Sequence, residues 1–168
     1  RILWREDELN NGDLLMIAKN NYFWTEQEKD MDFIANGELA VVQRVRRQSE
    51  LYGFRFVDVT LTFPDQDNYE LDANLLLDTL QSESPALTRA DADRLFNAVL
   101  EDYADIPLKR ERMKKMKVDP YYNALQVKYA YAVTCHKAQG GQWKNVFIDQ
   151  GYMSDEYLSP DYFRWLYT

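Results

Sequence analysis

The sequence predicts an α/β chain that carries a small antiparallel β-barrel and a separate helical insert. Three observations lead to this: strand-like runs between turns over 11–72, helical spacing of apolar residues over 85–119, and an apolar segment at 129–133. The 168 residues suffice for one sizeable core, or for one domain with a large insertion. We expect the barrel at 10–80, the helical insert at 85–119, and an α/β part at 120–168 together with 1–9.

The barrel is predicted from strand-like segments that turns separate. Asn36 and Gly37 precede the run ELAVVQRV, and this dipeptide suits a tight turn because both residues tolerate a positive φ. The segment 54–63 (FRFVDVTLTF) alternates close to the period of two that marks a half-buried strand. Further strands are expected at LLMIA, which begins at Leu14, and around 69–71. Several short strands of this kind favour a small barrel.

The insert at 85–119 is predicted to hold two helices. Thr88, followed three residues later by Asp91, resembles a capping box, and apolar residues then recur at helical spacing up to Pro107. Pro107 is compatible with the first turn of a second helix, because the amide that proline lacks has no partner there. That helix would carry KRERMKKMK at 109–117, with six basic residues against one acid.

Charge is unevenly distributed along the chain. The net charge of -8 argues against a protein that coats nucleic acid by bulk attraction. Eleven acidic residues fall between Leu61 and Asp105, however, so the acidity is local and the basic strip remains available. Within it, Lys114, Lys115 and Lys117 are candidates for contact with a DNA backbone, and the alternative is a solvated helical face.

Composition also bounds the class of protein. No apolar run approaches the roughly 18 residues of a membrane-spanning helix, so we expect a cytoplasmic protein without a membrane partner. One cysteine and one histidine do not supply the ligands of a typical zinc site, so no metal site is expected. We expect Cys135 to be partly buried and inert.

The segment that begins at Tyr129 has a different residue pattern. YAYAV at 129–133 is apolar or small on both faces, as in a strand covered on both sides, and 146–148 repeats this pattern. Two such strands predict part of a largely parallel sheet, whose ligands bind at the carboxyl ends of its strands. The polar cluster that starts at Thr134 would lie there.

The polar cluster has the chemistry of an anion site. Thr134 can cap a short helix whose free amides attract an anion, and Lys137 adds a mobile positive charge. Gly140 and Gly141 lack the Cβ atoms that would block the close approach of a ligand. An ordinary helix end with a buried His136 accounts equally well for the same residues.

The order of the residues in this cluster resembles a known signature. TCHKAQG at 134–140 closely resembles T-x-H-K-[SA]-Q-G, motif V of superfamily 1 DNA helicases of the RecD-like group, the exonuclease V alpha-subunit relatives with a UvrD-like C-terminal domain. The resemblance implies a RecA-like (P-loop NTPase type) motor domain. It also implies an ATP-dependent helicase that couples ATP hydrolysis to translocation on single-stranded DNA, in DNA repair or recombination.

A second set of motifs resembles the start of an inserted barrel in those helicases. GDLLM at 12–16, NNY at 20–22 and NGE at 36–38 followed by AVV are similar to the G-D-x-x-M, N-N-Y and N-G-[DE]-x-G-x-V pattern. Ala40 stands where that pattern often has glycine. In the family this piece opens an SH3-like barrel inserted in the second motor domain. The resemblance covers 11–63 and 125–168, and the helical insert matches no motif.

The resemblance also implies roles for individual residues. The side of motif V toward single-stranded DNA would hold Thr134, His136 and Lys137. The side toward the nucleotide would hold Gln139, Gly140, Gly141 and Gln142. Relatives often have Glu where this chain has Gln142, and an amide can still donate and accept hydrogen bonds but carries no charge.

Two motifs of a complete motor are missing from this sequence. No G-x-x-x-x-G-K-[ST] occurs, so the chain has no P-loop for the nucleotide phosphates and magnesium. DYFRWLYT at 161–168 resembles the helix that leads into motif VI, but its T-R-A arginine is not reached. We expect a fragment without catalytic residues, inactive alone. Its partners would be single-stranded DNA and the N-terminal motor domain of the same polypeptide, with ATP and Mg²⁺ bound in the full-length protein.

The alternative is an SH3-like module that binds nucleic acid or peptide and has no motor role. It would use an exposed aromatic platform made of Tyr22, Phe23, Trp24, Tyr52 and Phe54. Most of these rings could equally fill a barrel core. The two hypotheses differ in whether 125–168 forms its own half-sheet.

Overall fold

A computed structural model of the chain describes residues 7–26, 32–138, 144–149, 159–161 and 164. The chain divides into two compact units, residues 1–131 and residues 132–168. Among the described residues, every strand and both of the longer helices belong to the first unit. The second unit contains the motif V segment.

The first unit is built on a closed barrel of five strands, in the order of the chain. The strands are β1 (Leu14–Ile17), β2 (Leu39–Leu51), β3 (Phe54–Phe63), β4 (Tyr69–Leu76) and β5 (Leu125–Tyr129). Neighbouring strands are antiparallel, except for β4 and β5, which are parallel, and β5 closes the barrel against β1. The small antiparallel barrel predicted from the sequence is confirmed, and its last strand comes from much later in the chain.

Local sequence explains where the strands turn and which side chains enter the barrel. Tyr52 and Gly53 join β2 to β3 with φ angles of 59° and 71°, and two successive positive φ angles suit the twist of a tight hairpin. Strand β3 has the predicted bounds, since its alternating apolar residues face the interior. The barrel core is predominantly apolar, with Leu15, Ile17, Ile34, Val42, Val57, Leu61, Phe63, Leu75 and Val127 buried.

Two helices lie between β4 and β5, after a short 3-10 helix at Leu77–Thr79. Helix α1 spans Arg89–Asp102 and helix α2 spans Lys109–Lys117, so both predicted helices are confirmed. The Thr88 hydroxyl accepts a hydrogen bond from the Asp91 amide at 3.1 Å and donates to the Asp91 carboxylate at 2.8 Å, so Thr88 caps α1 as predicted. Pro107 does not lie in the first turn of α2 as predicted, because Leu108 keeps an extended backbone and serves as the N-cap.

A second apolar core joins the helices to one end of the barrel. Its buried members are Phe54, Phe56, Leu76, Leu95, Val99, Met116 and Ala124. Phe56 and Leu76 come from the barrel strands, Val99 from α1 and Met116 from α2. Polar contacts support this core: the Tyr52 hydroxyl donates to Asp102 at 2.5 Å, and both burial and this contact raise the pKa of Tyr52. The insert is therefore packed against the barrel.

The segment after Tyr129 differs from the prediction. Only Tyr129 of the predicted strand at 129–133 belongs to a strand, and that strand is part of the barrel. The alternating tyrosines pack on the barrel instead, since the rings of Tyr129 and Tyr131 stack with centroids 6.0 Å apart. No strand forms at 146–148 either, and the Phe147 ring is 98% exposed within the described part of the chain.

The described residues contain neither a membrane-spanning helix nor a cluster of metal-ligating side chains. No helix in these ranges is long and apolar enough to cross a membrane. Among the same residues, no three His, Cys, Asp or Glu side chains are placed to hold a metal ion together.

Candidate nucleic-acid interface

The motif V segment forms a single helical turn with an N-terminal cap. Helix α3 spans Cys135–Ala138, and the Thr134 carbonyl accepts hydrogen bonds from the Lys137 amide at 2.9 Å and the Ala138 amide at 3.0 Å. The Thr134 hydroxyl also accepts a hydrogen bond from the Lys137 amide, at 3.4 Å, so Thr134 caps the turn as predicted. These two amides already donate to Thr134, so they are not free to bind an anion. The positive charge at this site therefore comes chiefly from the Lys137 side chain.

The predicted site residues are only partly described. The side chains of Thr134 and Lys137 are exposed, and the His136 backbone lies in α3 between them. The side chain of His136 and the four predicted nucleotide-cleft residues, Gln139, Gly140, Gly141 and Gln142, lie outside the described residues. Cys135 is exposed, so the prediction of a partly buried cysteine was wrong; it begins a short turn that does not cover it.

The chain enters and leaves the barrel at the same place. Strands β1 and β5 run side by side, with Leu15 opposite Tyr129. The Tyr129 hydroxyl donates to the Glu8 carbonyl, and the Tyr131 hydroxyl donates to the buried carboxylate of Asp13 at 2.7 Å. Sequence reasoning missed the role of Tyr131, although the alternation in YAY and the Asp of GDLLM were available as signals.

The basic strip on α2 is exposed, but its three predicted residues do not share one face. Lys114 and Lys117 are three residues apart and lie on the same side of the helix, whereas Lys115 points about 100° away from Lys114. The Lys114 ammonium lies 2.9 Å from a Glu111 carboxylate oxygen in a solvent-exposed ion pair. The structure thus brings two of the three predicted lysines together.

The aromatic platform of the alternative hypothesis is not present as a surface. Phe54 is buried in the second core, with the Arg94 guanidinium 4.4 Å from its ring centroid. Trp24 is half-buried, and its indole N–H donates to the Asn123 carbonyl at 2.8 Å. Of the five rings only Tyr22 is widely exposed, at 62%, and it stacks on Phe33 rather than on the others. The alternative therefore loses most of its predicted binding surface.

Sequence reasoning missed a second polar surface on the outside of the barrel. Two register shifts in β2 disturb the normal alternation, so Arg44, Arg46 and Arg47 are all exposed. Arg44 and Arg46 border an open cleft of about 710 Å³. Arg46 contacts both oxygens of Asp72 at 2.8 Å, and a hydrogen bond from Thr60, assisted by Arg46, lowers the pKa of Asp72. Asp72 thus neutralises Arg46, one of the three exposed arginines.

The comparison with protein families gives an independent result for the second unit. Residues 129–168 match the family described as the UvrD-like helicase C-terminal domain. The match includes the whole motif V segment and begins at the last residue of β5. A search of curated proteins finds no match to the chain. The second unit is therefore similar to UvrD-like helicase C-terminal domains, and this similarity indicates a helicase-related function for the chain.

Proposed function

We propose that the chain is the C-terminal portion of an ATP-dependent DNA helicase of the RecD-like group, which couples ATP hydrolysis to translocation on single-stranded DNA. One observation carries the proposal: the family match at 129–168 contains the TCHKAQG segment that resembles motif V. The motif and the family match are independent of the barrel, and they concern the same residues.

The path of the chain through the barrel supports an inserted domain. The two ends of a domain inserted in another domain must lie close together, because the host fold continues on both sides of the insertion. In the first unit, β1 and β5 are paired, and Tyr131 is bonded to Asp13. This arrangement fits a barrel and helical insert placed within a second RecA-like motor domain, to which residues 132–168 would contribute.

Each motif V residue has a role in this proposal. Thr134 holds the turn of α3, so that Lys137 is presented as a point charge toward the phosphates of single-stranded DNA. His136 would contact the same strand. The residues that follow, Gln139, Gly140, Gly141 and Gln142, would line the nucleotide cleft. ATP with Mg²⁺, bound mainly by the N-terminal motor domain, would supply the free energy for movement.

The proposal is tested by ATP hydrolysis in the full-length parent protein, with and without single-stranded DNA. We expect DNA to stimulate ATP hydrolysis in the wild type. Lys137→Ala and His136→Ala should each lose most of this stimulation, while the rate of hydrolysis without DNA stays the same as in the wild type. Lys144→Ala is the matched control, because Lys144 is exposed and lies outside the motif. A folded wild-type parent without ATPase activity on any DNA would refute the motor and favour the SH3-like binding module.

A further inference from the structure

We propose that Arg110, Lys114 and Lys117 form a cationic stripe on α2 that contacts the phosphate backbone of single-stranded DNA, at a second place besides motif V. The inference rests on the proposed function and adds a contact surface within the helical insert. It differs from the strip predicted from sequence, because it includes Arg110 and leaves out Lys115.

The spacing of the three residues places them in one row. Positions i, i+4 and i+7 of an α-helix fall within an arc of about 60°, and their Cα atoms rise by about 6 Å and about 10 Å along the axis. All three side chains are exposed, whereas Met116, on another side of the same helix, is buried in the second core. Around the helix axis, Glu111 lies between this row and Lys115, so Lys115 is not part of the row. The row is thus long enough to follow more than one phosphate of a strand.

The charges of the row are available to a partner. Lys114 shares its charge with Glu111 in an exposed pair, which is a weak interaction in water. Within the described part of the chain, neither Arg110 nor Lys117 has an ion pair or side-chain hydrogen bond. Arg112 differs from them, since its guanidinium donates to the Ile106 carbonyl at 2.7 Å and belongs to the structure of the insert.

Helix α2 has unfavourable features in its first turn. Its N-cap, Leu108, makes no side-chain hydrogen bond. Lys109 and Arg110 stand in the first turn, where the helix dipole disfavours cations. The pair Arg110 and Lys114 adds a like-charge i, i+4 repulsion of about 0.2–0.5 kcal/mol. Helix α1 of the same insert begins with a side-chain cap from Thr88, which α2 lacks. Both helices have an acid in the first turn, and Lys114 and Lys117 lie in the last turn of α2, where the dipole favours cations. Arg110 is therefore the stripe residue kept against local costs, and this indicates a use in binding.

Tertiary contacts hold α2 in place despite these costs. Met116 is buried against α1 and the barrel strands. At the C-terminal end, the buried carboxylate of Asp119 accepts hydrogen bonds from the Tyr121 and Tyr122 amides and from the Tyr103 hydroxyl. The backbone of the stripe is therefore ordered before a ligand arrives, so binding loses less conformational entropy.

Charge complementarity selects a polyanion as the partner. A run of cations at regular spacing, without a pocket, suits the repeated phosphates of a nucleic-acid strand and reads no base sequence. An acidic protein segment is the competing occupant, and the experiment separates the two.

The experiment compares two pairs of substitutions that remove the same charge from the same helix of the parent protein. Arg110→Ala with Lys117→Ala removes the ends of the stripe, and Lys109→Ala with Lys115→Ala removes two exposed cations outside it. Binding of fluorescein-labelled oligothymidylate is followed by anisotropy between about 50 and 200 mM NaCl. A labelled oligoglutamate peptide is the second probe, and circular dichroism checks that each variant is folded.

We expect the stripe variant to bind oligothymidylate roughly 10- to 30-fold more weakly at about 0.1 M salt, with a salt slope shallower by about 1.4, because two phosphate contacts are lost. The control variant should keep the wild-type slope within about 0.3. Equal losses in both variants, or no loss in either, would overturn the stripe. A loss confined to oligoglutamate would overturn it in favour of an acidic protein partner.

The same preparations separate this inference from the proposed function. If the stripe variant binds DNA normally while Lys137→Ala still loses DNA-stimulated ATP hydrolysis, the stripe is wrong and the helicase proposal stands. If the wild-type parent neither binds oligothymidylate at low salt nor hydrolyses ATP, both are wrong.

Discussion

The Tyr131 hydroxyl donates a 2.7 Å hydrogen bond to Oδ1 of Asp13, a residue 118 positions earlier in the chain. Asp13 is fully buried, and its other oxygen accepts the Asn10 amide at 2.7 Å. The Leu14 amide in turn donates to the Tyr131 hydroxyl at 3.3 Å. One tyrosine thus joins the segment that begins β1 to the segment that follows β5.

Removing this hydroxyl should destabilise the barrel unit. Tyr131→Phe deprives a buried carboxylate of a partner, which we expect to lower the free energy of unfolding by about 1–3 kcal/mol. Urea unfolding of the 168-residue chain measures the change. Tyr22→Phe is the control, because Tyr22 is 62% exposed, close to the 60% of Tyr131, but its hydroxyl has no hydrogen bond within the described residues, and the substitution should change stability by less than about 0.5 kcal/mol. Equal effects of the two substitutions would contradict the proposed role of Tyr131.

The contact between Tyr103 and Asp119 should make the free energy of unfolding fall as the pH rises in the alkaline range. The Tyr103 hydroxyl donates to Asp119 at 2.8 Å, and this bond, together with burial, raises the pKa of Tyr103 to about 12. The folded-state pKa lies above the unfolded value of about 10, so the stabilisation is complete below pH 10 and is lost as pH rises through 12.

Urea unfolding of Tyr103→Phe measures this effect. At pH 8 we expect the variant to be about 1–3 kcal/mol less stable than the wild type, because Asp119 loses a donor. The difference should shrink between about pH 10 and pH 12, since the wild type loses the same interaction there. A difference that stays constant or grows over this interval would refute the contribution of the Tyr103 proton.

The N-terminal cap of α1 should contribute about 1 kcal/mol to the free energy of unfolding. Thr88→Ala removes the hydroxyl that accepts from the Asp91 amide, and Thr88→Ser keeps it. We expect the alanine variant to lose about 1 kcal/mol in chemical unfolding and the serine variant to stay within a few tenths of the wild type. Similar losses in both variants would show that the methyl group, rather than the cap, is responsible.

The second core should make the helices and the barrel unfold together. Met116→Ala removes a buried side chain from α2, with an expected cost of about 2–5 kcal/mol, and the half-buried Met113→Ala should cost less. Hydrogen exchange of the Met116 variant should show faster opening in β3 as well as in α2. Faster exchange confined to α1 and α2 would mean that the insert unfolds independently of the barrel.

Local chemistry made much of the first unit predictable. Strand β3 is close to a period of two between turns, with one break at Phe56 and Val57, and α1 has a cap followed by helical spacing, so both were correct from sequence. Strand β5 at 125–129 was not predicted, and the strand was expected at 129–133 in another sheet, because the partner of β5 is β1, more than a hundred residues away, and no local pattern indicates a partner at that distance. The exposed arginines of β2 were missed because bulges shift the register of a strand without a clear sequence signal.

The candidate site was predictable in its residue order but not in its geometry. Thr134 caps α3 as its position before a short helix indicates. The face shared by Arg110, Lys114 and Lys117 was not recognised, since it depends on where α2 begins and on which side Met116 is buried. Both are set by tertiary packing, which composition does not reveal.

ATP-dependent movement along single-stranded DNA is the central claim, and displacement of streptavidin from a biotinylated oligonucleotide measures it most directly. With the full-length parent protein, we predict that ATP is required for displacement and that Lys137→Ala abolishes it, whereas Lys144→Ala behaves as the wild type. If the folded wild-type parent displaces no streptavidin from either end of the strand in the presence of ATP and Mg²⁺, the chain does not belong to a translocating motor.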